Sequence, residues 1–437
     1  MNTKKSIPIV SVFLQFFNRE QLLEMARHFG AVKRLREIHP ADFVRALIEC
    51  ASGDEKRTIA SARRRFGRIA HYEPEESSFY GHFNKGMVRL LEQLFRMTVE
   101  HASASTRSLL GSLLDKAGLA DMFALDASRF SLPSWTTELF PSTSKHLGGV
   151  KLTTLLSVLK STLVKVILTD ARRHDRKAVK LPGGLKGVLI LMDRGYCDRK
   201  LFAQIADQGG FFLTRLKKNL RPVITTIRSG LDQRFVGQPF SPQLPFDGEE
   251  VDLDVSFKMP KGPARQFRVA RLVAGVQVVD GKEKPKELLL VTNLTPEQFT
   301  VEQLATLYRY RWEIERLFAV CKGVGRLDHL RSGNPHVVET FVYATLLAVV
   351  LGLLVCSWMR QCRPHCQPSA WRVTSLVLEW LPEFARTAGC SSFRETFDAF
   401  VQALWREGVN PNPGRLYTAT LYTIDLAWLQ ATRCATP

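Results

Sequence analysis

Tyr308, Arg311, Glu315 and Lys322 follow one another at steps of three, four and seven residues within the stretch LATLYRYRWEIERLFAVCKG, residues 304–323. Thr300 with Gln303 makes a capping-box start and Gly323 a natural stop, so the spacing predicts one helix over about 301–322. On a single helix turning about 100° per residue, Arg311, Glu315 and Lys322 share a narrow polar stripe with Tyr308. Leu307, Tyr310, Ile314, Leu317, Phe318 and Cys321 fill the adjoining arc and mark the buried face. A carboxylate at the margin of a buried face, flanked by an aromatic hydroxyl and two cations, is placed to hold a metal while its neighbours hold phosphate. A solvated helix face, on which Glu and Arg pairs are common, is the plainer reading of the stripe alone.

Two aspartates have comparable placement. Residues 122–125 predict a short apolar strand ending in Asp126. The uninterrupted run GVLILM, 187–192, predicts a strand covered on both faces that ends in Asp193-Arg194-Gly195-Tyr196. Carboxylates at strand ends and on a nearby helix can converge on hard divalent cations, which take oxygen ligands. Crowded like charges repel unless a cation neutralises them. Two ions a few ångströms apart can activate an attacking oxygen and stabilise a leaving one in phosphodiester cleavage. Magnesium, with manganese as a substitute, suits such a set. Asp121, Asp170 and Asp175 rival these positions on placement alone.

Positioning these groups falls to a mixed scaffold. Residues 1–110 carry apolar residues at helical spacing near 19–29, 40–52, 56–68 and 77–103. Within them, two helices joined by a turn would offer Arg63, Arg64, Arg65, Tyr80, Asn84 and Lys85 to phosphates and base edges; a helical bundle with a solvated basic face fits equally well. From about 119 the pattern becomes strand-like: 122–125, 151–159, 162–168 and 187–192, then a helix near 198–207 and a strand at 211–216. With the late helix, that order fits an α/β, ribonuclease-H-like sheet. Residues 251–258, 267–273 and 288–292 predict a β-rich insertion, and the chain past 360 returns to helices, with an Asn-Pro-Asn-Pro-Gly turn at 410–414. The predicted domains are 1–115, helical; 116–220 and 300–365, the two parts of the α/β core; 221–299, the insertion; and 366–437, helical.

Bulk properties narrow the partners. The 437 residues carry a formal charge of +19 and are 45% hydrophobic, which favours a globular protein with a polyanionic partner, most simply nucleic acid. Eight scattered cysteines suit reduced thiols in a cytoplasm. Cys362, His365 and Cys366 lack a second ligand pair at zinc spacing and read as incidental. The basic, apolar start MNTKKSIPIVSVFLQFF lacks a small-residue cleavage site and does not read as a targeting peptide. Residues 341–359 approach the length of a membrane span, but their Thr345, Gly352 and Ser357 and their place after the polar helix favour a core helix over a membrane one.

The pattern Tyr-x2-Arg-x3-Glu-x6-Lys resembles the YREK signature of DDE insertion-sequence transposases, the IS-four family. The resemblance extends to the family's first motif, an Asp after a short strand, at Asp126. It extends also to the second, Asp-Arg-Gly-Tyr followed by a helix and a Phe-x-x-Arg-x-Lys strand, at Asp193–Tyr196 with Phe212, Arg215 and Lys217. It implies Asp126, Asp193 and Glu315 as catalytic carboxylates and metal ligands for two Mg2+ ions. It implies Tyr308, Arg311 and Lys322 beside transposon-end DNA, with Arg194, Arg215, Lys217, Lys218, Arg63, Arg64, Asn84 and Lys85 as further DNA contacts. Gly195 would permit the tight turn that aims Asp193. Arg311 would hold phosphate or brace Glu315. The implied partner is double-stranded DNA, both terminal repeats and target, bound by a homodimer at the nucleoid. Some relatives stack a flipped base on a Trp of the insertion; residues 221–299 contain none. A structure-selective nuclease on the same fold would cut branched DNA without joining ends, and a non-catalytic derivative would bind DNA without metal-dependent turnover.

Overall fold

The computed structural model describes residues 18–410, apart from 51–57, 106–113, 115–116, 145, 161, 175–178, 180, 280–281, 328–329, 364–365 and 388–389. The readings of residues 1–17, Asp175, His365 and the turn beyond Asn410 fall outside the described residues. A single mixed sheet of nine strands runs through the molecule. In chain order these are β1 (Asp121–Leu132), β2 (Gly148–Ser157), β3 (Thr162–Asp170), β4 (Val188–Met192), β5 (Phe211–Arg215), β6 (Val223–Ser229), β7 (Glu250–Phe257), β8 (Arg265–Val279) and β9 (Lys282–Thr292). The spatial order is β3-β2-β1-β4-β5-β9-β8-β7-β6. Among the described strands only β1–β4 and β4–β5 are parallel.

In the sheet, two features depart from the sequence expectation. β1 does not stop at Asp126; it continues to Leu132 because β2 pairs with it without interruption from Phe123↔Ser157 to Leu132↔Gly148. The β-rich insertion, with β6 as a strand the periodicity did not indicate, joins the central sheet edge to edge through β5–β9 pairing. Arg268 on β8 holds this arrangement from inside. Its Nε and Nη2 donate to the two carboxylate oxygens of Asp252 on β7, each at 2.8 Å, and its Nη1 donates to Phe299 O at 2.7 Å.

The helices are α1 (Arg19–His28), α2 (Pro40–Glu49), α3 (Ile59–Ala70), α4 (Glu76–Tyr80), α5 (Lys85–Ser105), α6 (Arg199–Asp207), α7 (Val301–Arg309), α8 (Trp312–Gly323), α9 (Pro335–Cys362), α10 (Ala370–Thr387) and α11 (Phe393–Glu407). The helix expected over 77–103 is interrupted at 81–84, where Asn84 caps α5 by accepting from Met87 N at 3.0 Å. One face of the sheet carries α6 and its aromatic cluster, with Phe202 stacked on Phe212. On the opposite face a single apolar cluster runs from Leu22 to Leu404 and includes residues of α7, α8 and α9.

α9 is the rod of that cluster. Asn334 caps the helix, accepting from His336 N at 2.9 Å, with Pro335 in the first turn. Its most apolar stretch, mean hydropathy 2.3, is 94% buried. The helix is wrapped by α2, α5, α8 and α10. Gly352 brings α10 so close that a Cβ there would collide with Thr374 Oγ1.

Replacing Arg268 with Leu strands Asp252 between β7 and β8 with only the longer contact from Arg228 at 3.3 Å. The expected loss is about 3 kcal/mol in denaturant unfolding. Unchanged unfolding would show that the Arg268–Asp252 pair does not hold the outer strands to the sheet.

Candidate active site

Parallel pairing of β1 with β4 ends at Leu125↔Met192, so Asp126 and Asp193 stand one residue beyond the last pair on adjacent strands. Side chains alternate along a strand. Ala124 and Leu191 face the larger apolar cluster, whereas Leu125 and Met192 face the other. Asp126 and Asp193 therefore point to the same face, the one that α8 covers. The Asp193 backbone is fixed from β5, where Thr214 Oγ1 donates to Asp193 O at 3.1 Å. Residues 194–196 then form a 3-10 turn that buries Tyr196.

Gly195 lies in that turn without a positive φ, so the turn does not need glycine on conformational grounds. What holds it is Lys217, whose ammonium donates to Gly195 O at 3.1 Å and Cys197 O at 3.2 Å. Sequence reasoning missed Thr214 and assigned Lys217 to DNA; a donor directed at a distant carbonyl leaves no local signal in sequence.

The helix carrying Glu315 is not continuous. Tyr310 and Arg311 form a tight turn between α7 and α8, with i→i−3 bonds from Tyr310 N to Leu307 O (3.1 Å) and from Arg311 N to Tyr308 O (3.2 Å). Residues three apart eclipse in such a turn. The Arg311 guanidinium accordingly lies 5.7 Å from the centre of the Tyr308 ring, and it is 5.3 Å from that of Trp312. Arg311 Nη1 donates to Glu315 Oε1 at 2.7 Å and lies 3.8 Å from Asp126 Oδ2. Arg215 reaches the Tyr308 ring at 5.7 Å. Farther along α8 and β1, the Lys322 ammonium sits 5.5 Å from the Phe130 ring.

Electrostatics tie these groups together. Burial pushes the Asp126 carboxyl up to about 6, opposed by the Ala127 N–H and by Arg311 and reinforced by the charges of Asp193 and Glu315. Burial also raises the Tyr308 phenol, against Arg311. The three carboxylates form an all-oxygen donor set suited in kind to a hard divalent cation. Among the described residues, however, no three His, Cys, Asp or Glu side chains stand at metal-holding separations; the Arg311 guanidinium is in contact with two of the three. A cavity of about 490 Å³ lies elsewhere, between α8, α9 and the start of α10, and none of the three carboxylates lines it.

The remaining predicted contacts divide. Arg194, Arg215, Lys218, Arg64 and Lys85 are exposed. Arg63 is engaged with Pro74 O at 3.2 Å and Glu73 at 3.4 Å, closing the turn between α3 and α4. Asn84, besides capping α5, donates to Ala31 O and Gly81 O, each at 3.2 Å. These structural duties explain why two polar residues of the predicted basic face are turned inward.

Residues 118–351 match the family described as Transposase DDE domain. The match spans more than half of the chain and contains both aspartates and Glu315, and the chain belongs to this family. Among relatives, the transposase for insertion sequence element IS231F of Bacillus thuringiensis subsp. israelensis is 20% identical over 392 residues, covering 81% of each chain. The transposase for IS231B of Bacillus thuringiensis subsp. berliner is 21% identical over 368 residues, 76% of each. The transposase for IS421 of Escherichia coli is 38% identical over 69 residues, which is 16% of this chain and 19% of that protein.

A carboxyl whose pKa rises on folding adds stability while protonated and loses it as pH climbs. For Asp126 the loss starts near the unfolded value of 3.8 and levels off above about 6. Asp126→Asn is therefore expected to stabilise the protein by about 1–3 kcal/mol at neutral pH and by almost nothing near pH 4. Denaturant melts at the two pH values check this; a gain that is the same at both would remove the ionised Asp126 as its source.

Proposed function

We propose that the chain is a DNA transposase that cuts at the ends of an insertion sequence and joins them to target DNA, with Asp126, Asp193 and Glu315 as its catalytic and metal-binding carboxylates. The observation that carries this reading is the register of β1 and β4, which directs two aspartates to one face beneath Glu315, within the residues that match the DDE domain. We read β1–β5 with α8 as a ribonuclease-H-like core and the Tyr308-Arg311-Glu315-Lys322 spacing as the YREK signature.

In this reading the three carboxylates hold two Mg2+ ions, with Mn2+ as substitute. Held by Asp126, Asp193 and Glu315, such ions would supply Lewis-acid stabilisation to the attacking and leaving oxygens of a phosphodiester. The chain itself supplies position. Thr214 bonds the Asp193 carbonyl and Lys217 ties down the turn that follows it, which fixes the backbone that carries the second carboxylate. Lys322, beyond Glu315 along α8, donates to the phosphate of a DNA terminus. Arg215, Arg194 and Lys218 extend the cationic surface, and Arg64 and Lys85 offer a second one on the N-terminal helices. Trp312, 57% exposed beside Arg311, is open for a base to stack on. A homodimer bringing two ends together, with residues 1–115 binding the ends, 221–299 inserted in the core and 366–437 aiding dimerisation, completes the proposal.

Glu315→Gln is expected to lower Mg2+-dependent strand cleavage by at least about 10³-fold, with DNA binding in the absence of metal retained in a gel-shift assay. Cleavage surviving at the wild-type rate would remove Glu315 from the chemistry. Lys322→Ala is expected to weaken retention of cleaved ends while leaving uncleaved duplex bound. Strand transfer and end retention at wild-type levels would take the terminal phosphate away from Lys322.

A further inference from the structure

We propose that Arg311 is a resident counterion that keeps the metal site closed until a DNA phosphate draws it away, so that metal loading and DNA binding are coupled through one side chain. This rests on the assignment of Asp126, Asp193 and Glu315 as metal ligands. Arg311 Nη1 stands 2.7 Å from Glu315 Oε1 and 3.8 Å from Asp126 Oδ2, with the side chain only 9% exposed. Magnesium binds oxygen at about 2.0–2.1 Å. A guanidinium at hydrogen-bond distance from one carboxylate and beside the next occupies the approach that such an ion needs. Guanidinium does not lose its proton in proteins, so the positive charge leaves only if the side chain moves.

The surroundings give that movement a route and a destination. Arg311 sits in the tight turn between α7 and α8, with its guanidinium 5.7 Å from the centre of the buried Tyr308 ring and 5.3 Å from that of the exposed Trp312 ring. Sliding from the first ring towards the second carries the guanidinium outward while it keeps an aromatic face against it. A phosphate there offers two oxygens to the fork of N–H donors, a better partner than the single contact to Glu315. Once Arg311 has turned outward, Asp126 is left with the charges of Asp193 and Glu315 acting on it and without its guanidinium counterion, and a divalent ion drawing the three together relieves that repulsion. By linkage, whatever DNA adds to metal affinity, metal adds to DNA affinity.

The test is Mn2+ binding to the full chain, followed by loss of the free-ion electron paramagnetic resonance signal, with and without a linear duplex from the genomic border of the coding sequence. Wild type is expected to bind Mn2+ at least about tenfold more tightly with the duplex than without it. Arg311→Gln is expected to reach that tighter affinity without DNA and to gain less than about threefold on adding it. Arg311→Lys keeps charge and stem but loses the fork, and is expected to fall between the two; it decides the matter if the Gln variant does not fold. Equal DNA-free affinity in wild type and the folded variant overturns the proposal, as does a full DNA-dependent gain in that variant. If neither wild type with DNA nor the variants bind Mn2+, or if Glu315→Gln leaves binding unchanged, the ligand assignment itself is wrong and the latch falls with it.

Discussion

β1 is paired with β2 over ten residues but with β4 over only five, and the carboxylates gather where the second pairing stops. A parallel ladder that ends in step leaves the next residue of each strand side by side, about 4.8 Å apart at the backbone. Here those residues are Asp126 and Asp193. The arrangement is unfavourable by itself: two like charges, partly withdrawn from water, with Glu315 added from above. The surrounding framework sustains that cost. The strands beneath are buried in both apolar clusters, the Asp193 backbone is bonded from β5, and the loop that follows is tied down by a lysine.

The cationic side chains of the chain divide by what they touch. Lys217 and Arg63 are committed to backbone carbonyls and act as struts. Arg311 is committed to carboxylates. Arg194, Arg215, Lys218, Arg64 and Lys85 face outward. A net positive chain thus divides its basic residues between holding its own loops and facing solvent.

Much of this was readable from residue pattern. The apolar run before Asp193 could only be a strand covered on both faces, and it is. The apolar stretch 341–359 asked for burial on every side, and α9 has it. The break at Tyr310 and Arg311 was not readable, because neither residue is a helix breaker and both keep near-helical backbone angles; only the hydrogen-bond step changes. The full length of β1 was hidden for a related reason. Past Asp126 its sequence mixes polar with apolar residues, and what keeps it extended is pairing with β2, whose partner residues lie 16 to 26 positions away. Likewise nothing local marks Asn84 as a cap and loop clamp, or joins the β-rich insertion edge to edge with the core. Arg268, reaching Asp252 and Phe299 O together, links those outer strands to the segment that opens α7.

The burial of α9 has a bearing on how the chain is made. Its apolar stretch is long enough to be drawn into a bilayer if it emerged alone. By the time residues 335–362 leave the ribosome, α2 and α5, two of the helices that cover them, have already been synthesised. Two of the covering helices thus precede the apolar rod in order of synthesis, and α10, which closes the other side, follows it directly.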